Sequence, residues 1–280
     1  MKIQEVIDRI CDFHPPLERE ETSDVIKYGD PEKECTGVAV TCFASTEVIR
    51  KAIELGVNFI ITHEPTFFND PEEKDFLEGN KAFEEKKRLL DESGMVIWRD
   101  HDHIHGPGRP GMPASERKFT DMIFYGIMES LGWRKYLIGS EKKPLEYSMP
   151  GRTVQDLADE LMEKIGLNGI RIIGDKNAPV NKVFITEHIN GRGDNGKIKK
   201  IEDEGFDAII PLETIDWTIV EYVLDSCAAG RPRAILSMGH FNFEEPGMKY
   251  MADKWLPELL GGEVPVHFIP CADTYDYITR

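Results

Sequence analysis

Cysteine is scarce in this chain. The 280 residues contain five cysteines, at positions 11, 35, 42, 227 and 271, and no two of them have C-x-x-C spacing. An odd number without that spacing argues against a disulfide framework and against a zinc ribbon. We therefore expect reduced thiols and a cytoplasmic location, with Cys42 as a small buried residue rather than a catalytic thiol.

Long apolar runs and an excess of basic residues are also missing. No apolar run approaches the length of a membrane span, and the charged N-terminal segment 1–8 predicts an amphipathic helix rather than a signal peptide. The chain has 34 basic and 51 acidic residues, a formal net charge of −17. Because such a chain repels phosphate backbones, we expect it to bind neither nucleic acid nor a membrane.

The chain does contain ample core material. Hydrophobic residues make up 40% of it, with 14 Phe and 4 Trp, enough for one large α/β domain or two lobes. Early in the chain, apolar runs alternate with helical patterns: strand 37–43, helix 46–56, strand 58–62, helix 80–93 and strand 95–99. This order predicts a parallel or mixed sheet with helices on its faces.

A Gly/Pro-rich stretch at 106–113 interrupts the alternation and is predicted to be a loop. A helix at about 115–132 and a second α/β set are expected after it. The remaining predicted elements are helix 153–165, strands 168–174 and 181–187, helix 196–205, strand 207–210, helix 214–229, strand 233–238, helix 246–260 and strand 264–269.

Three predicted strands run directly into residues that can bind metal ions. These residues are His63 and Glu64 after the first strand, His101, His103 and His105 after the second, and His240 and Glu244 after the third. In open α/β sheets, ligands bind beyond the carboxyl ends of the strands, so the three ends can converge on one pocket. Imidazole and carboxylate together suit zinc, manganese, iron, cobalt or nickel.

Each end also has a plainer interpretation. His63 and Glu64 suit a turn with a helix-capping acid. On a helix, His240 and Glu244 would share a face, but Pro246 predicts that the helix starts later and leaves them in a polar loop.

The run 101–105 places three histidines at a spacing of two, so an extended chain would point them the same way; the alternative is a solvated loop. His14 is expected in a loop and His188 at the surface. The glycines of 190–196 suit either an anion-binding nest or, with more weight, a flexible turn.

The metal-binding segments sit in longer motifs. The pattern G-V-x-V-x-x-D-x-T-x-x-V-I-x-x-A-I-x-x-G-x-x-x-I-I-x-H-H-P aligns with 37–65, H-T-x-x-D with His101 to His105, and G-H-x-x-x-E with 239–244. In these motifs the chain resembles the Ngg-interacting-factor-three-like (NIF-three-like) proteins, whose members carry the name GTP cyclohydrolase I type 2 homologue. The resemblance extends over nearly the whole chain.

This resemblance implies an α/β fold of two similar lobes with mixed sheets flanked by helices. Residues 1–115 and 232–280 would form a metal-binding lobe, with 116–231 inserted as the second lobe. It also implies a homohexamer built from dimers and two divalent metal ions per subunit.

The resemblance assigns ligands residue by residue. His63, His101, His240 and Glu244 match family residues directly. Two further positions exchange residue type: Glu64 replaces a usual histidine, and His105 replaces a usual aspartate. The number of ligands and the formal charge survive this exchange. Phe43 stands where an aspartate is usual and removes a polar group.

We interpret the chain as a metal-dependent hydrolase in which two ions about 3.5–4 Å apart activate a water. Glu244 would bridge the ions, and Glu64, if not a ligand, would act as general base. The substrate would be a small molecule, with a nucleotide or phosphate ester as candidates.

A non-catalytic metal-binding scaffold that acts through partner binding is the alternative. A third interpretation takes His101-x-His103 as the H-x-H motif of an amidohydrolase barrel. It is disfavoured because only 175 residues follow position 105.

Overall fold

The structure, a computed structural model, describes residues 1–17, 21–69, 74–106 and 116–278. Residues 107–113 of the predicted Gly/Pro-rich loop lie outside these ranges. The strands are β1 (Ile26–Tyr28), β2 (Val38–Thr41), β3 (Phe59–Thr62), β4 (Val96–Arg99), β5 (Glu146–Thr153), β6 (Arg171–Gly174), β7 (Pro179–Ile189), β8 (Ala208–Thr214), β9 (Ala234–Ser237) and β10 (Val266–Phe268).

Helices cover much of the rest of the described chain. They are α1 (Ile3–Phe13), α2 (Thr46–Glu54), α3 (Lys81–Ser93), α4 (Met122–Leu131), α5 (Val154–Ile165), α6 (Asp194–Glu204), α7 (Ile219–Ala228), α8 (His240–Tyr250) and α9 (Leu256–Leu259). A π-helical turn, Met251–Trp255, separates α8 from α9. No helix of the described residues is both long and apolar enough to cross a membrane.

The chain forms two compact units. Among the described residues, the first unit contains those up to Gly106, Arg117–Gly126 and Gly247–Cys271, and the second contains most of the others, including Ile127–Pro246. Each unit holds one five-stranded mixed sheet, in the orders β1-β4-β3-β2-β10 and β5-β7-β8-β9-β6. The predicted fold class, mixed α/β with two sheets flanked by helices, is confirmed.

Strand β9 lies elsewhere than the sequence suggested. The predicted lobe boundary placed 232–280 with the first lobe, whereas β9 pairs with β8 and β6 in the second sheet. Its four residues are fully apolar or small and buried, so either sheet could accept them, and the pattern alone does not choose. The domain boundaries themselves stay a prediction.

The central strands of the first sheet are buried on both faces. Every residue of β2, β3 and β4 is buried, as expected for parallel strands that helices cover on both sides. Helix α2 begins where the Ser45 hydroxyl accepts a hydrogen bond from the Val48 amide. Its buried Val48 and Ile49 pack with Ile60 of β3 in the core of this unit.

Core packing around β3 gives a direct test of this description. The Ile60 side chain is completely buried, so Ile60→Ala should lower the free energy of unfolding by about 2–5 kcal/mol. The matched change Ile53→Ala on the exposed side of α2 should alter it by less than about 0.5 kcal/mol. Equilibrium denaturant unfolding measures both, and equal effects would contradict the assigned core.

Candidate metal centre

Two neighbouring strand ends bring the first set of candidate residues together. Strands β3 and β4 are parallel, and Thr62 pairs with Arg99 at their last positions. The chain therefore leaves both strands at the same edge of the sheet. There the Asp100 amide donates to Thr62 at 2.9 Å, and Nδ1 of His63 contacts the Asp100 carbonyl oxygen at 3.0 Å.

The run 101–105 forms a turn, so the predicted extended arrangement is wrong. The His105 amide donates to the His101 carbonyl at 3.2 Å, which is one helical turn. Two histidines four positions apart therefore share a face, while His103 points elsewhere. Hydrogen bonds to Asp24, which is distant in sequence, hold this segment in the turn. The Asp24 carboxylate accepts from the amides of residues 101, 102 and 103.

Three imidazoles meet beyond the strand ends. The ring centroids of His63, His101 and His105 lie 4.8–4.9 Å apart, and each residue offers a nitrogen within 4.8 Å of the others. His63 is buried, whereas the other two are partly exposed. A triad of imidazoles at this spacing suits a borderline divalent ion.

Each of the three rings has an oxygen beside its Nδ1 atom. His63 contacts the Asp100 carbonyl, His101 contacts Asp102 Oδ1 at 3.1 Å, and His105 contacts Asp121 Oδ2 at 3.0 Å. Because these oxygens only accept, Nδ1 carries the hydrogen and Nε2 carries the lone pair. This is how proteins orient histidines that bind metal ions.

The carboxylate beside His101 is itself held firmly. Burial raises the pKa of Asp102, but hydrogen bonds from His101, the Ser23 amide and the Thr22 hydroxyl outweigh burial and lower it overall. Asp102 therefore remains an anion that can fix the ring of its neighbour.

Glu64 is buried at the same edge of the first sheet, two residues after β3. Its carboxylate is 3.8 Å from the Arg99 guanidinium, whose Nε donates to the His63 carbonyl at 2.9 Å. The nearby position 43, as the sequence suggested, supplies no polar side chain. The Phe43 ring instead faces the Lys86 ammonium at 4.9 Å.

In the second unit, the strand ends bring together another set. Helix α8 begins at His240, so the predicted later start is wrong; Pro246 lies inside the helix. The turn from β9 into α8 needs Gly239, whose φ is +97° and whose missing side chain leaves room for Tyr275. His240 and Glu244 are thus one helical turn apart, with Nε2 and Oε2 3.0 Å from each other.

Glu213, at the end of β8, joins two histidines. Its carboxylate lies 2.7 Å from Nδ1 of His188 and 3.1 Å from Nδ1 of His240. Burial raises its pKa, but these two partners outweigh burial and lower the pKa to about 2. His188 lies at the surface, as expected, with about half of its side chain exposed, and its Nδ1 also contacts Glu213.

Sequence reasoning missed several of the orienting groups. Neither Asp121 nor Glu213 was predicted, because neither follows a strand that runs into histidine, and the orienting role of Asp102 was not predicted either. Glu213 could have been found by applying the strand-end rule to β8 as well. The glycine stretch 190–196 fits the flexible-turn interpretation better, since its Gly191 amide donates to the carboxylate of its own Asp194 at 2.9 Å.

Comparison with known proteins agrees with this architecture. The model of the family Duf34/NIF3 (NGG1p interacting factor 3) matches residues 1–86 and 129–274. The chain belongs to this family. The matched parts contain His63, Glu64, His240 and Glu244, but the segment with His101 and His105 lies between them.

Individual relatives cover nearly the full chain. A GTP cyclohydrolase 1 type 2 homolog of Clostridium perfringens is 28% identical over an alignment of 269 residues, and the match covers 91% of each chain. Among solved structures, the Staphylococcus aureus hypothetical protein SA1388 has a TM-score of 0.68 at 16% identity, over 99% of each chain. A Bacillus cereus protein related to NIF3 has a TM-score of 0.66 at 14% identity, again over 99% of each chain. These structures share the fold.

The orienting role of Asp121 can be tested without losing its other contact. Asp121→Asn keeps an oxygen that can cap α4 at the Phe124 amide but removes the charge beside His105. We expect affinity for Zn²⁺ to fall about 10–100-fold in equilibrium titrations. Asp156→Asn, at the start of α5, is the control and should leave the affinity unchanged; equal losses would refute the assigned role.

Proposed function

We propose that this protein is a metal-dependent hydrolase whose metal centre is built on His63, His101 and His105. The observation that carries the proposal is the shared orientation of the three rings, each with an oxygen acceptor at Nδ1 and its ligand-type nitrogens within 4.8 Å of the others. Histidines that bind metal ions almost always donate their other ring N–H to an oxygen of this kind.

The family resemblance extends the proposed ligand set. It adds Glu64, His240 and Glu244 as ligands and implies two divalent ions per subunit. Nitrogen and carboxylate ligands in this ratio suit zinc, manganese, iron, cobalt or nickel.

Bound divalent ions would lower the pKa of a water and polarise the bond to be cleaved. The chain's own residues supply the remaining functions. If Glu64 is not itself a ligand, its buried carboxylate, 3.8 Å from Arg99, would accept a proton as general base. Glu244, also buried and 3.0 Å from His240, is the proposed bridging carboxylate.

A small anionic substrate would bind this acidic chain through the metal ions. The chain carries a net charge of −17, so an anion needs the metal ions to bind. A nucleotide or phosphate ester fits this requirement, and the name of the Clostridium perfringens relative, GTP cyclohydrolase 1 type 2 homolog, is compatible with a nucleotide. The predicted hexamer built from dimers and the cytoplasmic location remain part of the proposal.

Metal content and turnover, measured on the same variants, test the proposal. His63→Ala and Glu244→Gln should each lower the metal content per subunit and reduce hydrolysis by at least about 100-fold across a panel of nucleotides and phosphate esters. Glu54→Gln, on the exposed part of α2, is the control and should change neither quantity.

The outcomes separate the two interpretations. Full metal loading of the wild-type protein without turnover on any substrate would favour the non-catalytic scaffold. Unchanged metal content in both variants would overturn the metal centre itself.

A further inference from the structure

A second group of titratable side chains lies on the other side of the 100–105 turn. Its central member is Asp100, whose side chain is completely buried. Among the described residues, neither of its carboxylate oxygens accepts a well-formed hydrogen bond, although the Ile104 amide lies close to the carboxylate. Buried carboxylates are ordinarily paired or hydrogen-bonded, so this one calls for an explanation.

The surroundings of Asp100 make an isolated negative charge unfavourable. Its carboxylate is completely buried, and the carboxylate of Asp24 lies within 4.8 Å of it. A bound cation would reverse this penalty, because the same low dielectric that disfavours a lone charge strengthens its attraction to a counter-charge.

Two imidazoles accompany the carboxylate. Nε2 of His14, at the end of α1, lies 4.0 Å from Asp100 Oδ2. This nitrogen is buried and, within the described chain, has no hydrogen-bond partner. A neutral His14 ring would therefore offer the lone pair of this nitrogen to a cation beside Asp100.

His103 is oriented as metal-binding histidines are. Its Nδ1 lies 2.7 Å from Asp24 Oδ2, so this nitrogen carries the hydrogen and Nε2 carries the lone pair. Asp24 also accepts three main-chain amides, which makes it an orienting group rather than a primary ligand. Ligand-type atoms of Asp24, Asp100 and His103 all lie within 4.8 Å of one another.

We propose that Asp100, His14 and His103 form a buried divalent-cation site, distinct from the three-histidine cluster, with Asp24 as the carboxylate that orients His103. One carboxylate and two imidazoles are a ligand set typical of zinc. Ligands about 2.1 Å from a tetrahedral zinc ion lie about 3.4 Å apart, so the 4.0 Å between His14 Nε2 and Asp100 Oδ2 needs to contract by about 0.6 Å. This site does not depend on the proposed hydrolase activity.

Zinc counting on metal-stripped protein, after equilibrium dialysis against Zn²⁺, tests the assignment. Asp100→Asn and His14→Gln should each bind one equivalent fewer per subunit than the wild-type protein. Asp24→Asn should keep the equivalent but bind it about 10–100-fold more weakly. Asp8→Asn, exposed on α1, is the control and should bind as the wild-type protein does.

A second background keeps this site separate from the first. The double variant His63→Ala/His105→Ala should retain one equivalent of zinc, and adding Asp100→Asn should remove it. Zinc should raise the melting temperature of the double variant but not that of the triple variant.

Asp100→Asn also reports on folding, because replacing an unpaired buried carboxylate with an amide should not lower the melting temperature of the metal-free protein. If Asp100→Asn and His14→Gln bind as much zinc as the wild-type protein, and as tightly, Asp100 is simply protonated and the site does not exist. If instead the double variant binds as much zinc as the wild-type protein, the proposed three-histidine centre fails while this one stands.

Discussion

The contact between the His63 ring and the Asp100 carbonyl connects the ends of β3 and β4, and the rest of the first unit's chemistry depends on it. The 3.0 Å separation fixes which nitrogen of His63 carries the hydrogen. A second hydrogen bond, from the Asp100 amide to the Thr62 carbonyl of the neighbouring strand, fixes where the following turn begins. Because β3 and β4 are parallel and end at the same register, His63 and the histidines after β4 leave the sheet at the same edge.

Asp24 acts as a second organising group. One carboxylate accepts three consecutive amides and the His103 ring, and so holds the turn in a shape its own sequence does not specify. Burial raises the pKa of Asp24, yet the His103 ring and these amides outweigh burial and lower it overall. The turn consequently has two chemical faces, with His101 and His105 on one and Asp100 and His103 on the other.

Sequence reasoning succeeded where periodicity and strand ends carry the information. The strands that precede His63 and His101 are neighbours in one sheet, as their apolar runs suggested. It failed where distant residues decide the local shape. Asp24 is remote in sequence from the turn that it folds, so spacing within 101–105 could not show that His103 faces away.

Helix α8 and strand β9 show two other limits. A proline normally argues for a later helix start, but Gly239 lets the chain enter α8 directly, and Pro246 is accommodated inside. For β9, a fully buried apolar strand fits either sheet, and only the pairing partner distinguishes them.

Because the turn has two faces, the number of residues in it affects the placement of the ligands more than the identity of any one residue does. In a helical turn each residue advances by about 100°, so removing or inserting one residue would rotate all later side chains away from their places. A substitution within 100–105 can exchange one ligand type for another, as His105 does relative to the family pattern. An insertion or deletion would instead displace the side chains of both ligand sets at once. Homologues can therefore vary the ligand types in this turn but not the number of residues that form it.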